Sequence, residues 1–361
     1  MTRKICLIIP SLHAGGMERV IIELAVYFCI KPNLEVHLIM YGINPEVFYQ
    51  IPENVIIHKP KFKFVNQLRF GYIIKTILFL RREIKQIRPN SILSFGEYWN
   101  SLVLIASLGL KYPVFVSDRC QPSKSLGKTH DALRKLLYPK TKGVIIQTQT
   151  AKEIYQKILP RTKLFVLGNP IREIKTDNTQ ERENIVLSIG RLINTKHHDE
   201  LIKLFVKINA PNWKLVIIGG NAQKQNNLKD LQNLIKVLGA ETNIVLTGSQ
   251  KDVDSYYKRS KIFAFTSSSE GFPNVIGEAM AAGMPVVAFD CIAGPSEMIE
   301  DGVTGFLVPL HNYYTFEQKL RELMMNEQLQ KKLGQNGQMK IVSFASNKIC
   351  EKYYQIITSD I

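Results

Sequence analysis

Cysteine is scarce in this sequence of 361 residues, and no two cysteines stand in a C-x-x-C pair. The five that are present lie far apart along the chain. An odd number of distant cysteines predicts neither a disulfide framework nor a zinc site. A chain without such crosslinks fits a reducing compartment, and we therefore expect it in the cytoplasm.

Long apolar runs are also missing. The longest one after the first strand, at residues 102–110, is about half as long as a helix that crosses a bilayer. The first run, at residues 5–9, is too short for a signal peptide and predicts a strand. We therefore expect no membrane-spanning segment.

The dinucleotide fingerprint G-x-G-x-x-G is absent as well. Between the first predicted strand and the first predicted helix the chain has only the glycine turn Gly15-Gly16. The second predicted strand, residues 35–41, does not end in the acidic residue that would hold a ribose. These two gaps argue against a dehydrogenase, although a strand, a glycine turn and a helix still suit a phosphate.

Acidic residues are scarce in the first half of the chain only. Residues 1–170 contain 25 Lys and Arg against 10 Asp and Glu, whereas residues 171–361 contain 22 against 21. The first half therefore carries +15 of the net charge of +16. Such a surplus suits an anionic partner, either a membrane surface or a nucleic acid.

The densest part of this basic half is the segment of residues 59–88. It holds nine Lys and Arg against one acid, Glu83, with apolar and aromatic residues between them. A basic helix with an apolar face suits an anionic membrane surface. An ordinary helix with a solvated basic face is the competing interpretation. Nucleic acid is a third, although no nucleic-acid-binding motif accompanies the charge.

Short apolar runs alternate with helical patterns along the whole chain, which predicts an α/β fold with doubly wound parallel sheets. The chain is too long for one ordinary core, so we expect two domains. The turn Gly168-Asn169-Pro170 predicts the hinge, with domains at residues 1–169 and 170–345. Predicted strands after the second one cover residues 91–95, 113–117, 144–147, 163–167, 184–189, 214–218, 243–247, 262–265 and 285–289.

The most informative stretch is residues 270–278. A buried strand is predicted just before it, and a helix that begins at Asn274 and is closed by Gly283 follows. A strand that leads through a tight turn into a helix places free backbone N–H groups where open α/β sheets bind ligands, above all phosphates. Glu270 and Glu278 frame the turn and can face one crevice. Taken alone, two such carboxylates could equally be solvated surface residues.

The surroundings of the two carboxylates carry a resemblance to a known family. Residues 270–279, E-G-F-P-N-V-I-G-E-A, resemble the E-x7-E signature of retaining glycosyltransferases of family 4, which have the GT-B fold. Residues 190–192, G-R-L, followed by Lys196, resemble the pyrophosphate clamp of the same family. Residues 294–299 and 301–309 also match its C-terminal domain.

The resemblance implies two Rossmann-like domains that face a cleft, with a C-terminal helix, residues 346–361, returning to the first domain. It covers the second domain strongly, and the first only through Gly15-Gly16 and the strand plan. Among family members, the chain most resembles bacterial enzymes that build lipid-linked oligosaccharides or surface polysaccharides. We therefore expect the first domain to face acceptor and membrane, and the second to bind a nucleotide sugar.

The resemblance also implies how a nucleotide sugar would be bound. Arg191 and Lys196 would neutralise its diphosphate and stabilise the charge that builds on the leaving group. Glu270 would hold a sugar hydroxyl, and Glu278 would accept hydrogen bonds from the ribose hydroxyls. Glu270, Arg191 and Lys196 are thus the expected catalytic residues. The other residues expected at the donor are Gly15, Gly16, Gly248, Gly271, Phe272, Asn274 and Val275.

Three further features bear on the mechanism. Retaining members of the family have no obvious protein nucleophile, so we name none. Many relatives place a histidine where this sequence has Arg119, which would contact the sugar or a phosphate, or form a salt bridge with Asp118. Asp252-Val253-Asp254 imitates a D-x-D metal motif, but it begins a predicted helix, where Asp252 suits the N-cap. GT-B enzymes also need no metal.

We therefore expect a retaining transferase that moves a hexose or N-acetylhexosamine from a nucleotide sugar, with UDP as the expected nucleotide, to a lipid-linked or surface-polysaccharide glycan. Neither a metal nor a cofactor nor a nucleic-acid partner is expected. The protein would be peripheral at the inner face of the cell membrane, held by residues 59–88. The sequence leaves open a nucleic-acid- or membrane-binding protein without catalysis, a transferase that uses GDP-mannose, and a transferase with a soluble acceptor.

Overall fold

The structure of the protein, a computed structural model, describes residues 2–13, 15–42, 47–62, 69–175, 181–221 and 226–359, without the side chain of Arg69. Residues 63–68 of the basic segment therefore lie outside the described residues. The chain divides into two compact units, Met1–Pro170 together with Ser346–Ile361, and Ile171–Ala345. Each unit has its own parallel sheet.

Apolar strands build the sheet of the first unit. Its central strands are buried along almost their whole length, as strands covered on both faces must be. The strands are β1 (Arg3–Ile9), β2 (Leu34–Met40), β3 (Val55–His58), β4 (Ser91–Phe95), β5 (Val114–Ser117), β6 (Gly143–Ile146) and β7 (Leu164–Val166). Their order across the sheet is β3-β2-β1-β4-β5-β6-β7, and neighbouring strands are parallel.

Helices connect these strands and cover the sheet. In the first of them Val20, Leu24 and Phe28 are buried at a spacing of four residues, which places one apolar face against the strands. The helices are α1 (Gly16–Cys29), α2 (Arg69–Ile87), α3 (Asn100–Ser107), α4 (Lys128–Leu137) and α5 (Gln149–Ile158).

The second unit repeats the plan with its own strands and helices. The strands are β8 (Glu183–Ile189), β9 (Lys214–Ile218), β10 (Ile244–Leu246), β11 (Ser260–Phe265), β12 (Val286–Asp290) and β13 (Phe306–Pro309). Their order is β10-β9-β8-β11-β12-β13, again parallel. The helices are α6 (His198–Ile208), α7 (Asn227–Val237), α8 (Asp254–Arg259), α9 (Asn274–Ala281), α10 (Pro295–Met298), α11 (Tyr313–Met325) and α12 (Glu327–Ile341).

The last helix, α13 (Ser346–Thr358), belongs to the first unit. It packs on α1, where the Tyr27 hydroxyl donates to the Glu351 carboxylate over 2.8 Å. The Ser346 hydroxyl donates to the Glu23 carboxylate over 2.9 Å. The prediction that the C-terminal helix returns to the first domain is therefore confirmed.

The predicted fold class, two Rossmann-like α/β domains with parallel sheets, is also confirmed. The sequence missed β3 and β13, and both are edge strands. An edge strand is covered on fewer sides, so it needs no continuous apolar run. In β3, for example, Ile56 and Ile57 are exposed.

Each sheet contains one switch point, where the connections leave in opposite directions. In the first unit it lies between β1 and β4, and in the second between β8 and β11. Ligands of open α/β sheets bind at the carboxyl ends of the strands at such a point. The fold thus directs attention to the loops that follow β8 and β11.

Within the described residues, no helix combines the length and the apolar content that a bilayer crossing requires.

Candidate active site

Two loops meet at the switch point of the second unit. The loop after β8 and the loop after β11 are joined directly by hydrogen bonds. The Thr266 hydroxyl donates to the Lys196 carbonyl over 2.7 Å, and the Ser268 N–H donates to the Thr195 carbonyl over 2.8 Å. These bonds bring together side chains that lie far apart in the sequence.

The central contact is an ion pair between Lys196 and Glu270. Both side chains are largely buried, with 16% and 15% of their surface exposed. A Cβ on Gly190 would lie only 3.2 Å from the Lys196 Cε, so glycine at this position leaves room for the lysine. An ammonium beside a carboxylate at the strand ends offers a partner for a phosphate and an acceptor for a hydroxyl.

Arg191 stands on the same loop, two residues after the end of β8, and its side chain is exposed. The loop leads into α6, whose N-terminus carries the positive end of the helix dipole. Two predicted phosphate ligands, Arg191 and Lys196, are therefore collected beside a helix N-terminus. That combination suits an anion.

Several contacts hold the turn of residues 271–273. The Asn274 N–H donates to the Phe272 carbonyl over 3.0 Å, so a ligand at this amide would have to share it. The Phe272 side chain is buried and lies 5.7 Å, between ring centres, from Phe344. A Cβ on Gly294, which has φ +132°, would lie 2.2 Å from Pro273 Cδ. The G-P-S-E motif that begins there thus supports the turn. Gly271 and Val275 are half-buried beside it.

Glu278 lies on α9 and is 4% exposed. The Tyr257 hydroxyl donates to its Oε2 over 2.9 Å, and Arg172 Nε lies 3.5 Å from its Oε1. Neither Tyr257 nor Arg172 belongs to a motif recognised in the sequence. Arg172 follows the Asn-Pro turn in a segment without apolar periodicity, so no sequence signal pointed to it.

Gly248 follows β10 with φ +68°, a conformation that favours glycine. Its carbonyl accepts the N–H of Gly219, which ties this loop to the end of β9. Further along, Asp252 Oδ1 accepts the Ser255 N–H over 3.2 Å at the start of α8. The N-cap of α8 is Val253, one residue after the predicted Asp252, whose side chain still accepts a backbone N–H of the first turn.

Two ionisable groups near the site are held neutral. Burial, with the neighbouring Lys196 ammonium, lowers the pKa of the His198 imidazole to about 4. Burial, with the nearby Glu270 carboxylate, raises the pKa of the Cys291 thiol to about 12. Because a thiol in that state is not a nucleophile at neutral pH, Cys291 does not supply one.

Gly15 and Gly16 lie in the first unit, after β1 and at the start of α1. The Tyr49 hydroxyl forms two hydrogen bonds with this glycine turn. Its hydroxyl accepts the Gly15 N–H over 3.1 Å and donates to the Gly15 carbonyl over 2.9 Å. Because it follows β1, the turn lies at the switch point of the first sheet.

Arg119 lies in the loop after β5, and its guanidinium is bound within the first unit. It donates to the Asn169 side chain and, over 2.9 Å, to the Tyr353 hydroxyl, and it lies 4.1 Å from the ring centre of Phe95. The proposed salt bridge with Asp118 is not formed. That carboxylate accepts hydrogen bonds from other side chains, namely Tyr138, Tyr155 and Asn100.

Within the part of the chain that the structure describes, no group of three or more His, Cys, Asp or Glu side chains is arranged to hold a metal ion.

Comparisons with known proteins bear on both halves of the chain. The family model described as Glycosyltransferase Family 4 matches residues 14–173. The model described as Glycosyl transferases group 1 matches residues 170–340. The two matched segments follow one another in the chain and together leave out only its ends.

Relatives of similar length exist among bacterial enzymes. The chain is 27% identical over 367 residues to the GalNAc-alpha-(1->4)-GalNAc-alpha-(1->3)-diNAcBac-PP-undecaprenol alpha-1,4-N-acetyl-D-galactosaminyltransferase of Campylobacter jejuni, and the match covers 98% of each chain. It is also 27% identical to the amylovoran biosynthesis glycosyltransferase AmsD of Erwinia amylovora, over 98% of this chain and 99% of the relative.

A solved structure shows the same fold. The structure of Anabaena Alr3699/HepE in complex with UDP and glucose superposes with a TM-score of 0.80 at 21% sequence identity, covering 99% of this chain and 100% of that one. Since two glycosyltransferase models span residues 14–340 and the fold is shared along the chain, this protein belongs to the GT-B glycosyltransferases.

Proposed function

We propose that the protein is a retaining, metal-independent hexosyltransferase of family 4. It moves a hexose or N-acetylhexosamine from a nucleotide sugar, with UDP as the nucleotide, to a lipid-linked or surface-polysaccharide glycan. In this proposal residues 170–345 bind the donor and residues 1–169 face the acceptor. The observation that carries it is the Lys196–Glu270 pair at the switch point, beside Arg191.

The chemistry of the leaving group supports this proposal. Negative charge builds on a nucleoside diphosphate as the glycosidic bond breaks, and Arg191 and Lys196 provide fixed cations for it. Each charge-assisted contact is worth about 1.5–3 kcal/mol. Glu270 accepts a hydrogen bond from a sugar hydroxyl and so orients the ring. Donor binding thus exchanges part of the Lys196–Glu270 contact for contacts with the substrate.

Retention of configuration follows if the acceptor attacks from the face that the diphosphate leaves. The acceptor oxygen forms the new bond to the anomeric carbon, the bond to the diphosphate breaks, and the acceptor proton passes to the leaving phosphate. No protein nucleophile takes part in this scheme. The Campylobacter relative is named as an alpha-1,4-N-acetyl-D-galactosaminyltransferase that acts on an undecaprenol-linked glycan, which supports both the sugar class and the acceptor class.

A thermal-shift panel of UDP, GDP, NAD and short DNA tests the proposal. A ligand that binds only the folded state stabilises it by about 2.7 kcal/mol at a hundred times its Kd. We expect a rise in Tm with UDP that persists in EDTA. A rise in Tm with GDP alone would mean that the donor carries GDP and not UDP. A rise with DNA and with neither nucleotide would favour a nucleic-acid-binding protein instead.

The proposed location rests on the outer face of α2. Leu80 and Ile84 are buried in the core of the first unit, whereas Phe70 and Leu78 are 77% and 60% exposed. Phe70, Ile73, Ile74 and Leu78, which we call the apolar stripe, are exposed on one helix face at spacings of three and four residues. We propose that this stripe and the surrounding cations hold the protein at the inner face of the cell membrane.

One cation of the basic segment is not available for a membrane. Arg81 donates to the carbonyls of Ala106 and Leu108 over 2.9 and 2.7 Å, and so caps the end of α3. A charge-removal variant should therefore spare it. Four exposed lysines remain suitable for substitution, and these are Lys59, Lys61, Lys75 and Lys85.

Co-sedimentation with anionic vesicles tests the location. Each Lys near an anionic leaflet contributes about 1 kcal/mol, and salt screens that attraction. Wild type should therefore pellet at low salt and less at high salt. Replacing the four lysines by Gln should keep the protein in solution. The matched control replaces four exposed lysines of the second unit by Gln, namely Lys229, Lys236, Lys331 and Lys332, and should still pellet. If the wild type does not bind the vesicles at low salt, the proposed membrane location is wrong, and a transferase with a soluble acceptor remains.

A further inference from the structure

The two acids of the D-x-D pattern have different partners. Asp252 accepts the Ser255 N–H in the first turn of α8. Asp254 forms an ion pair with Nη1 of Arg172. One acid of the pattern therefore contacts the backbone of the helix, and the other contacts an arginine.

Arg172 lies between two carboxylates. While Nη1 contacts Asp254, Nε lies 3.5 Å from Glu278 Oε1. The Glu278 side chain is almost fully buried, and a buried carboxylate is costly unless a cation and hydrogen-bond donors compensate it. Arg172 provides such a cation at the carboxylate that is proposed to bind the ribose.

Tyr257 contacts the other oxygen of the same carboxylate. It lies on α8 three residues after Asp254, so both side chains emerge on one face of the helix. Its hydroxyl donates to Glu278 Oε2 over 2.9 Å. The terminal torsion of a glutamate is broad, and separate partners on its two oxygens restrict the orientation of its plane.

The backbone around Arg172 is docked on α9. The Ile171 N–H donates to the Phe344 carbonyl over 2.8 Å. Ile171 also packs against Gly277, where a Cβ would lie 2.6 Å from Ile171 Cδ1. Residues 171 and 172 thus contact positions 277 and 278 in turn. Arg172 is held in place by its main chain as well as by Asp254.

We infer that Arg172 is a positioning residue for the proposed donor site. Asp254 holds Arg172 in place, and Arg172 orients the Glu278 carboxylate toward the ribose hydroxyls of the nucleotide. The inference rests on the proposed function, because it needs a nucleotide at α9. It gives Asp254 a role that acts through an arginine rather than through a metal ion. A carboxylate oriented before binding loses less freedom when the ligand arrives, so this network should raise nucleotide affinity.

Calorimetric titration of the full chain with UDP, and with GDP in parallel, tests the inference. Arg172→Ala should weaken binding about tenfold and Asp254→Asn about threefold to fivefold, since the former removes the cation and the latter only its support. Arg172→Lys should fall between wild type and Arg172→Ala, because an ammonium cannot contact both carboxylates in the same way. The double variant Arg172→Ala, Asp254→Asn should bind no worse than Arg172→Ala alone, since the two residues act as one unit.

Asp252→Asn is the matched control. It is the same isosteric change in the same motif, and asparagine still caps a helix, so nucleotide affinity should stay within about twofold of wild type. EDTA and Mn²⁺ should leave all affinities unchanged. If EDTA weakens binding and both Asp252→Asn and Asp254→Asn reproduce its effect, the motif holds a metal and the inference is wrong.

Glu278→Gln separates the inference from the proposal beneath it. If Glu278→Gln weakens nucleotide binding and Arg172→Ala does not, the inference alone fails. If wild type binds neither UDP nor GDP, the donor site is wrong and the inference falls with it. Denaturant unfolding of each variant shows whether a lost affinity reflects a lost fold, and Arg172→Lys keeps the test open if Arg172→Ala does not fold.

Discussion

The two units use charge differently in the loops that follow their strands. In the first unit, the loop after β5 carries Asp118 and Arg119, and hydrogen bonds within the unit bind both side chains. In the second unit, the loop after β8 carries Arg191, which is exposed, and Lys196, which is paired with Glu270. In the first unit these charges stabilise the unit itself, whereas in the second unit they lie at the switch point.

Net charge follows the opposite trend. The first half of the chain holds nearly the whole basic surplus, and the second half is close to neutral. The charges at the switch point of the second unit form a pair, whereas part of the surplus in the first unit lies on the exposed face of α2. Net charge therefore says little about where the paired charges of a site lie.

The largest effect should come from Glu270 in the second unit. Glu270→Ala removes a contact to the sugar, and we expect turnover to fall by about 10²–10³, as when one oriented hydrogen-bonding group is removed from an active site. The measurement is turnover with the nucleotide sugar that the binding panel identifies. Glu241→Ala, an exposed acid of the same unit, should leave turnover unchanged. Near-normal turnover of the Glu270 variant would show that the paired charges at the switch point are not the catalytic ones.

A comparable change in the first unit should act on stability. Arg119→Ala removes the contacts to Asn169, Tyr353 and Phe95, and should lower the free energy of unfolding by about 3 kcal/mol, since each hydrogen bond to a charged group is worth about 1.5–3 kcal/mol. Urea unfolding measures it, with the exposed Arg161→Ala as control. If stability is unchanged and turnover is lost, Arg119 contacts the substrate, and the contrast between the two units does not hold.

Acidification should weaken the second unit through His198. Its pKa in the folded state is about 4, below the ordinary value of about 6.5. Above pH 6.5 both states are neutral and the contribution is complete. As the pH falls below 6.5, the unfolded state takes up a proton first, so stability is lost until about pH 4.

The size of this loss can be measured by comparison with His198→Leu, which lacks the titrating group. Between pH 7.5 and pH 5, wild type should lose about 2 kcal/mol of unfolding free energy more than the variant does. Unfolding in guanidinium chloride at the two pH values gives both numbers. Equal losses in wild type and variant would mean that His198 is not held neutral by its surroundings.

The smallest effect should come from the apolar stripe. Leu78→Ser should weaken partition onto anionic vesicles by about 1 kcal/mol, since only part of the leucine surface would enter the membrane. The salt dependence should stay as in wild type, because no charge changes. Val237→Ser, at an 83% exposed position on α7 of the second unit, is the matched control. If the two substitutions weaken partition equally, the apolar stripe on α2 does not contact the membrane.

The interior strands and the edge strands β7 and β10 could be predicted from the sequence, whereas the edge strands β3 and β13 could not. β9, for example, has the bounds predicted for it, because a central parallel strand requires a continuous apolar run. β3 and β13 lack that requirement. The turn and helix after β11 were also predictable, since glycine, proline and the helix pattern are local signals.

The candidate site was predictable in part. Glu270, Glu278, Arg191 and Lys196 were named because their motifs resemble a family, and the contact between Lys196 and Glu270 was not predicted. Arg172 was not named at all. Its contacts with Asp254 and Glu278 join segments about 80 and 105 residues away, and such contacts leave no periodic signal in the sequence.

By itself, the sequence determined the α/β plan, the turn before α9 and the charge asymmetry, because periodicity, turn residues and charge counts are properties of neighbouring residues. Only the tertiary structure decided which charges meet. It directs Arg81 and Arg119 to partners inside the first unit and leaves Lys75 exposed, and it pairs Lys196 with Glu270. The reason is that the strength of a charge pair depends on distance and burial, which are set when segments far apart in the chain pack together.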